Sequence, residues 1–436
     1  MGRANGSALK FLLDTSVQRF GTVVIGGSPL KLFRLTPGGA ALVDEIAAGG
    51  DARASALVDR FVDAGLLHPQ PLPGASVFTD RDVTVVVPTL GEPANVPAGA
   101  IVVDDGSQPL VADATIRLDT NRGPAAARNA GLASVTTPLV AFVDADVNLP
   151  AGWLHHLIPH FNDDRVALVA PRVTVPPTAG AIGAYEQHGS PLDLGPQPAR
   201  VVAGTRVSYV PSAAIVCRTD ALRDLGGFDE ALRAGEDVDL VWRLVEANWR
   251  CRYEPASSVH HAARPTWAAW ARQRITYGSS AAPLAKRHPG AMAPVRISSW
   301  SVASWLLGIS GHPMAGAAIG LGSAAALTRK LPDVPTKVAF RLAALGNARA
   351  GEQIADAVRR VWWPLILVAA WRSRTARRVL VAAALASKDP VRLADDIAYS
   401  VGVWKGMATE RTLGPLVPQI SSWPGRSVAR PAAVAR

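Results

Sequence analysis

Cysteine is nearly absent from this 436-residue chain, with Cys217 and Cys251 the only two. Two isolated thiols build no disulfide framework, no CxxC redox pair and no thiolate zinc site. Catalysis must therefore rest on other side chains, and a reducing cytosolic compartment is the simplest reading. The opening MGRANGSALK lacks a basic start followed by an apolar run, so no signal peptide is expected. Acidic residues are scarce towards the end: from Arg264 onwards there are 24 Lys+Arg against 7 Asp+Glu, whereas the first 263 residues hold 21 against 28. Between Arg296 and Arg329 charge is missing altogether. A basic tail can serve nucleic acid, but these arginines flank apolar stretches such as VWWPLILVAAW. Anionic phospholipid attracts such a pattern through charge and buried apolar area. Membrane lipid is the expected partner, and no nucleic acid is.

What is present divides the chain into three. Hydrophobic residues make up 49% and charged ones 18%, enough to bury a sizeable core, and the length implies two to four structural units. Residues 1–75 predict a small domain, with strands at Thr22–Ile25 and Lys31–Leu35 about a Gly26–Gly27 turn. Thr36-Pro37 then opens a helix with an N-cap and a first-turn proline. A second helix covers Arg53–Ala64 and stops before Gly65, and the proline-rich His68–Gly74 reads as a linker. Residues 76–290 alternate apolar strands (Val83–Val87, Ile101–Val103, Thr115–Leu118, Leu139–Val143, Val166–Ala170) with helices at Ala125–Ser134, Thr219–Leu225 and Asp237–Ala247. That alternation predicts an α/β layer structure on a largely parallel sheet, with ligands beyond the carboxyl ends of the strands. Residues 291–436 predict a helical, apolar, membrane-associated region. Its uncharged stretch is long enough to span a bilayer, with His312-Pro313 marking a kink or a hairpin tip. Val361–Trp371 reads better as an interfacial helix.

The chemistry-bearing residues cluster at strand ends. Strand IVV runs into Asp104-Asp105-Gly106-Ser107, where carboxylates can accept from a ribose or base N–H, although the motif alone reads better as an ordinary Asp-Gly turn. NRGPAAARNAG places Asn121, Arg122 and Gly123 before a helix whose free N–H groups suit an anion, with Arg122 and Arg128 either phosphate-facing or solvated. LVAFV delivers Asp144-Ala145-Asp146, two carboxylates able to hold a hard divalent cation through oxygen. Glu236-Asp237 stands at the mouth of a helix with an apolar face. There the acids either cap the helix dipole or offer a general base, and the two roles are compatible. Tyr253–Val259 leads to His260-His261, where an imidazole can complete a metal site or the two stand as a pair of surface histidines.

The order VTVVVPT, VVDDGS, NRGPAAARNAGL, FVDADV, GGFDE and GEDVDLVWRL resembles the inverting family 2 glycosyltransferases of the GT-A fold. The resemblance covers residues 83 to about 288. It implies a nucleotide-sugar donor gripped by Pro88, Asp104, Asp105, Gly106, Ser107, Asn121, Arg122, Gly123, Arg128, Asp144 and Arg274. It further implies Mg2+ or Mn2+ on Asp144 and Asp146 with His260, less surely His261, and Asp237 as base with Glu236 beside it. One departure stands out: only Pro88–Ala100 separates the first two strands, so the first crossover helix is shortened or absent. LTPGGAALVDEI in the N-terminal part resembles the small, winged-helix-like PqqD domains that bind peptides in ribosomal peptide maturation. The combination, with YGSSAAPLAKRHPG and an apolar tail behind, is similar to transferases that glycosylate a peptide-derived redox cofactor precursor. That likeness implies a hexose, glucose in β linkage, oligoglycosylation, and a place at the inner membrane with the catalytic domain on its cytoplasmic side. Two rivals are a transferase for polyprenyl phosphate or cell-wall glycan and a non-catalytic tethered carrier of a peptide-derived precursor. A nucleotidyltransferase would want a basic glycine loop near the first strand, which TLGEPANVPAG lacks.

Overall fold

The computed structural model describes residues 10–72 and 76–421. The first nine residues and positions 73–75, at the end of the proline-rich segment, lie outside the described residues. The chain forms two compact units, Met1–Ala269 and Trp270–Arg436.

The first unit begins with β1 (Lys10–Leu13), β2 (Gln18–Phe20), β3 (Val23–Gly26), β4 (Lys31–Arg34), α1 (Pro37–Ala47), α2 (Ala56–Ala64) and β5 (Leu67–Gln70). Strands β2, β3 and β4 form an antiparallel sheet, as the Gly26–Gly27 turn predicts. Thr36 caps α1 by accepting the Gly39 N–H, and Gly65 ends α2 in the left-handed region at φ +72°. The apolar faces of both helices meet Phe11, Val24, Leu66 and Leu67 in one core around Phe61. The expected linker is wrong at its start: Leu67–Gln70 pairs antiparallel with β1. His68 is buried there, 2.9 Å from Asp14, and that hydrogen bond together with the pairing to β1 makes this proline-bearing stretch a strand rather than a tether. Arg250 reaches Asp63 at 2.7 Å, Asp59 at 3.3 Å and Asp163 at 2.6 Å, tying α2 to the large sheet.

That sheet collects β6 (Val83–Thr89), β7 (Ile101–Asp105), β8 (Ile116–Leu118), β9 (Leu139–Val143), β10 (Val147–Asn148), β11 (Val166–Thr174), β12 (Ala199–Arg200), β13 (Ala214–Arg218) and β14 (Arg250–His261). Its order is β10-β14-β11-β13-β9-β6-β7-β8, with β12 beside β14. Helices α3 (Pro124–Ala133), α4 (Gly180–Gly189), α5 (Thr219–Asp224) and α6 (Glu236–Glu246) complete the layers. Strands β9, β11 and β13 carry the continuous apolar runs LVAFV, VALVA and AIVC because both faces are covered. The sheet is parallel from β8 through β9 and mixed beyond, since β13 runs antiparallel to both of its neighbours. No helix forms between β6 and β7, in line with the short connection. Cys217 and Cys251 flank Leu168 on opposite sides of β11, about 9–10 Å apart by two strand spacings. Too far apart to bridge, both are buried, and burial pushes the Cys251 thiol up to about 12.

The second unit is helical: α7 (Trp267–Ser279), α8 (Ala281–Arg287), α9 (Ser299–Ile309), α10 (Pro313–Lys330), α11 (Thr336–Ala357), α12 (Trp363–Ala370), α13 (Arg374–Leu385) and α14 (Pro390–Glu410). Two short strands, β15 (Arg296–Ser298) and β16 (Gln419–Ser421), pair in parallel. A Cβ built on Gly278 or Gly402 would lie 2.0 Å from the Tyr399 or Ile275 carbonyl oxygen, so α7 and α14 touch backbone to backbone. The uncharged stretch does not form one span. It breaks at Gly311–His312 into α9 and α10, because Pro313 has no N–H to continue a helix and suits its first turn. No helix among the described residues is long and apolar enough to cross a membrane.

Candidate active site

The carboxyl end of β9 hands the chain to Asp144, whose N–H donates to the Ala213 carbonyl at 2.9 Å on the neighbouring strand. One residue before Ala213, the Ser212 N–H donates to Asp237 Oδ2 at 3.1 Å. A short run of backbone therefore brings the Asp144 loop and the mouth of α6 together. Asp237 Oδ1 also accepts the Val238 N–H at 2.8 Å. Gly235 starts α6 at φ +79°, a left-handed conformation that glycine adopts at no steric cost. Burial, and next the charge of Glu236, push Asp237 up to about 7. A carboxylate near 7 is poised to take a proton at neutral pH.

Arg128, on α3, is the hinge of this cluster. Its Nη2 lies 2.7 Å from Asp144 Oδ1 and its Nη1 2.7 Å from Glu236 Oε1. It is 2% exposed, and its guanidinium lies over the Phe228 ring at 5.4 Å. The expectation of a phosphate-facing or solvated Arg128 is corrected: the buried Glu236 and the half-buried Asp144 occupy it, because a fixed fork of donors satisfies both at once. Glu236 is correspondingly an ion-pair partner, while the Asp237 carboxylate accepts backbone N–H groups and feels the Arg128 charge without a direct ion pair among the described residues. Burial raises the Asp144 pKa, with Arg128 opposing.

Asp146 lies on the same loop and faces His261, with Oδ1 3.3 Å from Nε2, while Arg264 approaches Oδ2 at 3.2 Å. Burial pushes Asp146 up, but His261 and Arg264 outweigh it and bring it to about 2. The preference for His260 is reversed. Neighbouring residues on a strand point to opposite faces, and His260 turns its Nδ1 to the Thr174 hydroxyl at 2.9 Å. His261 is held from behind by the Ala262 carbonyl at 2.9 Å from its Nδ1, leaving Nε2 for the loop.

The acids of the first turn are used differently from expectation. Asp104 is fully enclosed, accepting from the Ser107 N–H at 2.8 Å and paired with Arg117. Asp105 accepts the Arg122 and Gly123 N–H groups at 2.7 and 2.8 Å. A carboxylate that stitches two loops together this way has little left for a ribose, and Asp104 has no accessible oxygen at all. Ser107 accepts the Gly91 N–H at 2.7 Å, and Pro88 is buried in β6 opposite Val103. Gly106, at φ +77°, could not carry a Cβ, which would lie 2.6 Å from Asn121 N. Asn121 accepts from Arg233 at 3.0 Å and Arg122 pairs with Glu230 at 2.6 Å, so the GGFDEALR loop closes over the NRG turn. Arg274 lies in the helical unit, 2% exposed, its Nε 2.9 Å from Asp395 Oδ1 and its guanidinium over Trp270. It is engaged there rather than presented as a free cation for a diphosphate. Under the helix-free loop 90–100, a cavity of ≈ 420 Å³ is lined by Asp80, Asn95, Asn148 and Trp153 among others.

Residues 100–225 match the family described as Glycosyl transferase family 2. The chain is 39% identical over 448 residues to the Pre-mycofactocin glycosyltransferase of Mycobacterium tuberculosis, covering 92% of this chain and 95% of that protein. The chain belongs to the family 2 glycosyltransferases. An uncharacterized glycosyltransferase of Mycobacterium bovis is 28% identical over 187 residues, covering 38% of this glycosyltransferase and 81% of its own length. Among solved structures, a mannosyltransferase from Pyrobaculum calidifontis in complex with GDP-Man and Mn2+ is similar at a TM-score of 0.41 and 17% identity. That likeness covers 74% of this glycosyltransferase and 87% of that chain. Four residues of the site escape sequence reasoning: Ser212, Phe228, Arg233 and Arg264. Arg233 and Phe228 sit inside GGFDEALRAGED and Arg264 just past HH, so closeness to a motif was the one signal available.

Proposed function

We propose that this glycosyltransferase moves a hexose, glucose with inversion to a β linkage, from a UDP-sugar to a hydroxyl of a peptide-derived redox cofactor precursor. The acceptor class is the one in the name of the Mycobacterium tuberculosis relative, and the PqqD-like N-terminal part suits a peptide-derived molecule. The observation that carries the reading is the convergence of Asp237, Asp144 and Asp146 through Ser212, Ala213 and Arg128. Asp237 takes the proton of the acceptor hydroxyl as that oxygen bonds the anomeric carbon from the face opposite the leaving group. The bond from that carbon to the diphosphate oxygen breaks, and the nucleoside diphosphate departs with the electron pair. Inversion follows from this single displacement.

Asp146 and His261 suit Mg2+ or Mn2+, since oxygen and imidazole donors match such ions, and Asp144 stands on the same loop with one oxygen taken by Arg128. Asp146 Oδ1 and His261 Nε2 are spaced like two donors to a common ion, at 3.3 Å. No group of three or more His, Cys, Asp and Glu placed to hold a metal exists among the described residues. A nucleotide-sugar diphosphate offers further hard oxygen donors to such an ion, so metal and donor would bind together. When bound, the cation stabilises charge on the departing diphosphate. His261→Ala is expected to weaken Mn2+ binding in the presence of UDP by at least about 10–100-fold, the loss typical of even an outer-shell partner. His260→Ala is expected to leave it within a fewfold. Calorimetric titration of Mn2+ into each variant with UDP distinguishes them, and equal behaviour removes His261 from the site.

The exposed apolar surface of the second unit favours one alternative, a polyprenyl phosphate acceptor. Incubating the full chain with labelled UDP-glucose and either acceptor decides between them. Product on the peptide-derived precursor supports the proposal, and product on polyprenyl phosphate alone overturns it.

A further inference from the structure

Water is a poor solvent for much of the second unit. From Ile297 to Thr328 no residue carries a charge, yet in α9 only Ser301 is buried and in α10 only Gly316 and Ala324. Leu306 and Met314 flank the turn between the two helices, and Met314 is 82% exposed. A hairpin with this little core contact exposes apolar surface that soluble monomers ordinarily cover. At 1.5 Å per residue the 18 residues of α10 reach about 27 Å. That is short of the roughly 30 Å hydrocarbon core, so the hairpin can enter one face of a bilayer without crossing it.

A second feature of the same unit carries the opposite chemistry alongside. Leu365, Leu367, Val368 and Trp371 are exposed along α12 and its end, Val368 at 78% and Trp371 at 88%. Arg372, Arg374, Arg377 and Arg378 follow immediately, all exposed and none ion-paired among the described residues. No Asp or Glu occurs anywhere from residue 357 to 388, where seven Lys and Arg stand. Helix α13, which carries three of these arginines, packs against α9, so the basic and uncharged segments are neighbours.

We infer that the α9–α10 hairpin and the α12–α13 elbow form a one-sided membrane-docking surface for a bilayer rich in anionic phospholipid. Tryptophan beside arginine suits the headgroup boundary, where an indole lies in the apolar layer and guanidinium groups meet phosphate. Charge decides the occupant. A second copy would set four arginines against four, whereas anionic headgroups complement them. This inference goes beyond the catalytic reading and does not depend on it.

The test is flotation of the full chain with phosphatidylcholine vesicles, with and without phosphatidylglycerol. The chain is expected to float with the anionic vesicles, and binding is expected to weaken as salt is raised. Each arginine near an anionic surface contributes roughly fivefold in partitioning, from about 1 kcal/mol apiece. Changing Arg372, Arg374, Arg377 and Arg378 together to Gln is therefore expected to weaken binding by at least about 100-fold. Val368→Glu with Trp371→Glu, both at exposed positions, is expected to abolish flotation with the circular dichroism and the turnover of a soluble acceptor unchanged. Three results overturn the inference: no flotation of the native chain, equal flotation of all variants, or a dimer in sedimentation that Trp371→Glu splits.

Discussion

Asp237→Asn is expected to lower turnover by about 10²–10⁴-fold, the usual worth of a positioned general base, while UDP-sugar binding changes less than a fewfold. The expectation follows from the carboxylate's setting. Glu236 is tied to Arg128 at 2.7 Å, whereas Asp237 accepts two backbone N–H groups and is not hydrogen-bonded to Arg128, whose charge lowers its pKa only in part. Its pKa is raised to about 7, by burial first and then by the Glu236 charge. A base acts in its deprotonated form, so the native rate is expected to climb as pH rises through about 7, and the Asn variant's residual rate is expected to lack that rise. A raised acid also costs the fold stability progressively as pH rises from the ordinary carboxylate value of 3.8 to about 7, and in full above that. The Asn variant should therefore melt no lower than the native chain above pH 7. Measuring kcat against pH, donor binding by calorimetry and the melting temperature together separates loss of a base from loss of the fold. Native turnover in this variant ends the assignment.

Arg128→Met carries the second large effect, and here stability leads. Removing the guanidinium leaves Glu236, 6% exposed, without its cation and strips Asp144 of the partner at 2.7 Å. Breaking a buried ion pair by deleting one partner typically costs about 3–5 kcal/mol. The first unit is expected to unfold at clearly lower urea. Arg128→Lys is the more telling variant. A point ammonium cannot donate to two separate carboxylates through a planar fork, so the fold is expected to persist while the Asp144 loop and the mouth of α6 lose their common tie. A displacement of about 1 Å costs on the order of 100-fold in rate. Urea titration and steady-state kinetics of both variants check this. Native kinetics in Arg128→Lys would show that Arg128 serves the fold alone.

Local rules explain which features could be read in the chain. The helix starting at Thr36-Pro37, the stop at Gly65, the LVAFV strand and the amphipathic helix after Gly235 all depend on neighbours within a turn or two. So does the placing of Asp144, Asp146 and Asp237 at element ends. Other features depend on partners far away. His68–Gly74 carries prolines and reads as a tether, yet Leu67–Gln70 is a strand because β1, over fifty residues earlier, offers an edge and Asp14 a partner for His68. The choice between His260 and His261 turns on which face of β14 meets the Asp146 loop, and a register of one residue reverses it. The uncharged stretch has the length of a membrane span, but its single proline and poor apolar content divide it into a hairpin.

Order along the chain placed acidic groups at the ends of buried strands, because strand ends and helix starts are written in neighbouring residues, and the resemblance of the motifs to a known family tied those groups to transfer of a sugar. Only the folded molecule decided the division of labour among those groups. Asp104 and Asp105 stitch loops through partners up to 18 residues away, Asp237 takes the Ser212 N–H from 25 residues away, and Glu236 pairs with a buried arginine over a hundred residues away. Such contacts are set by how the layers stack, and no local pattern encodes them.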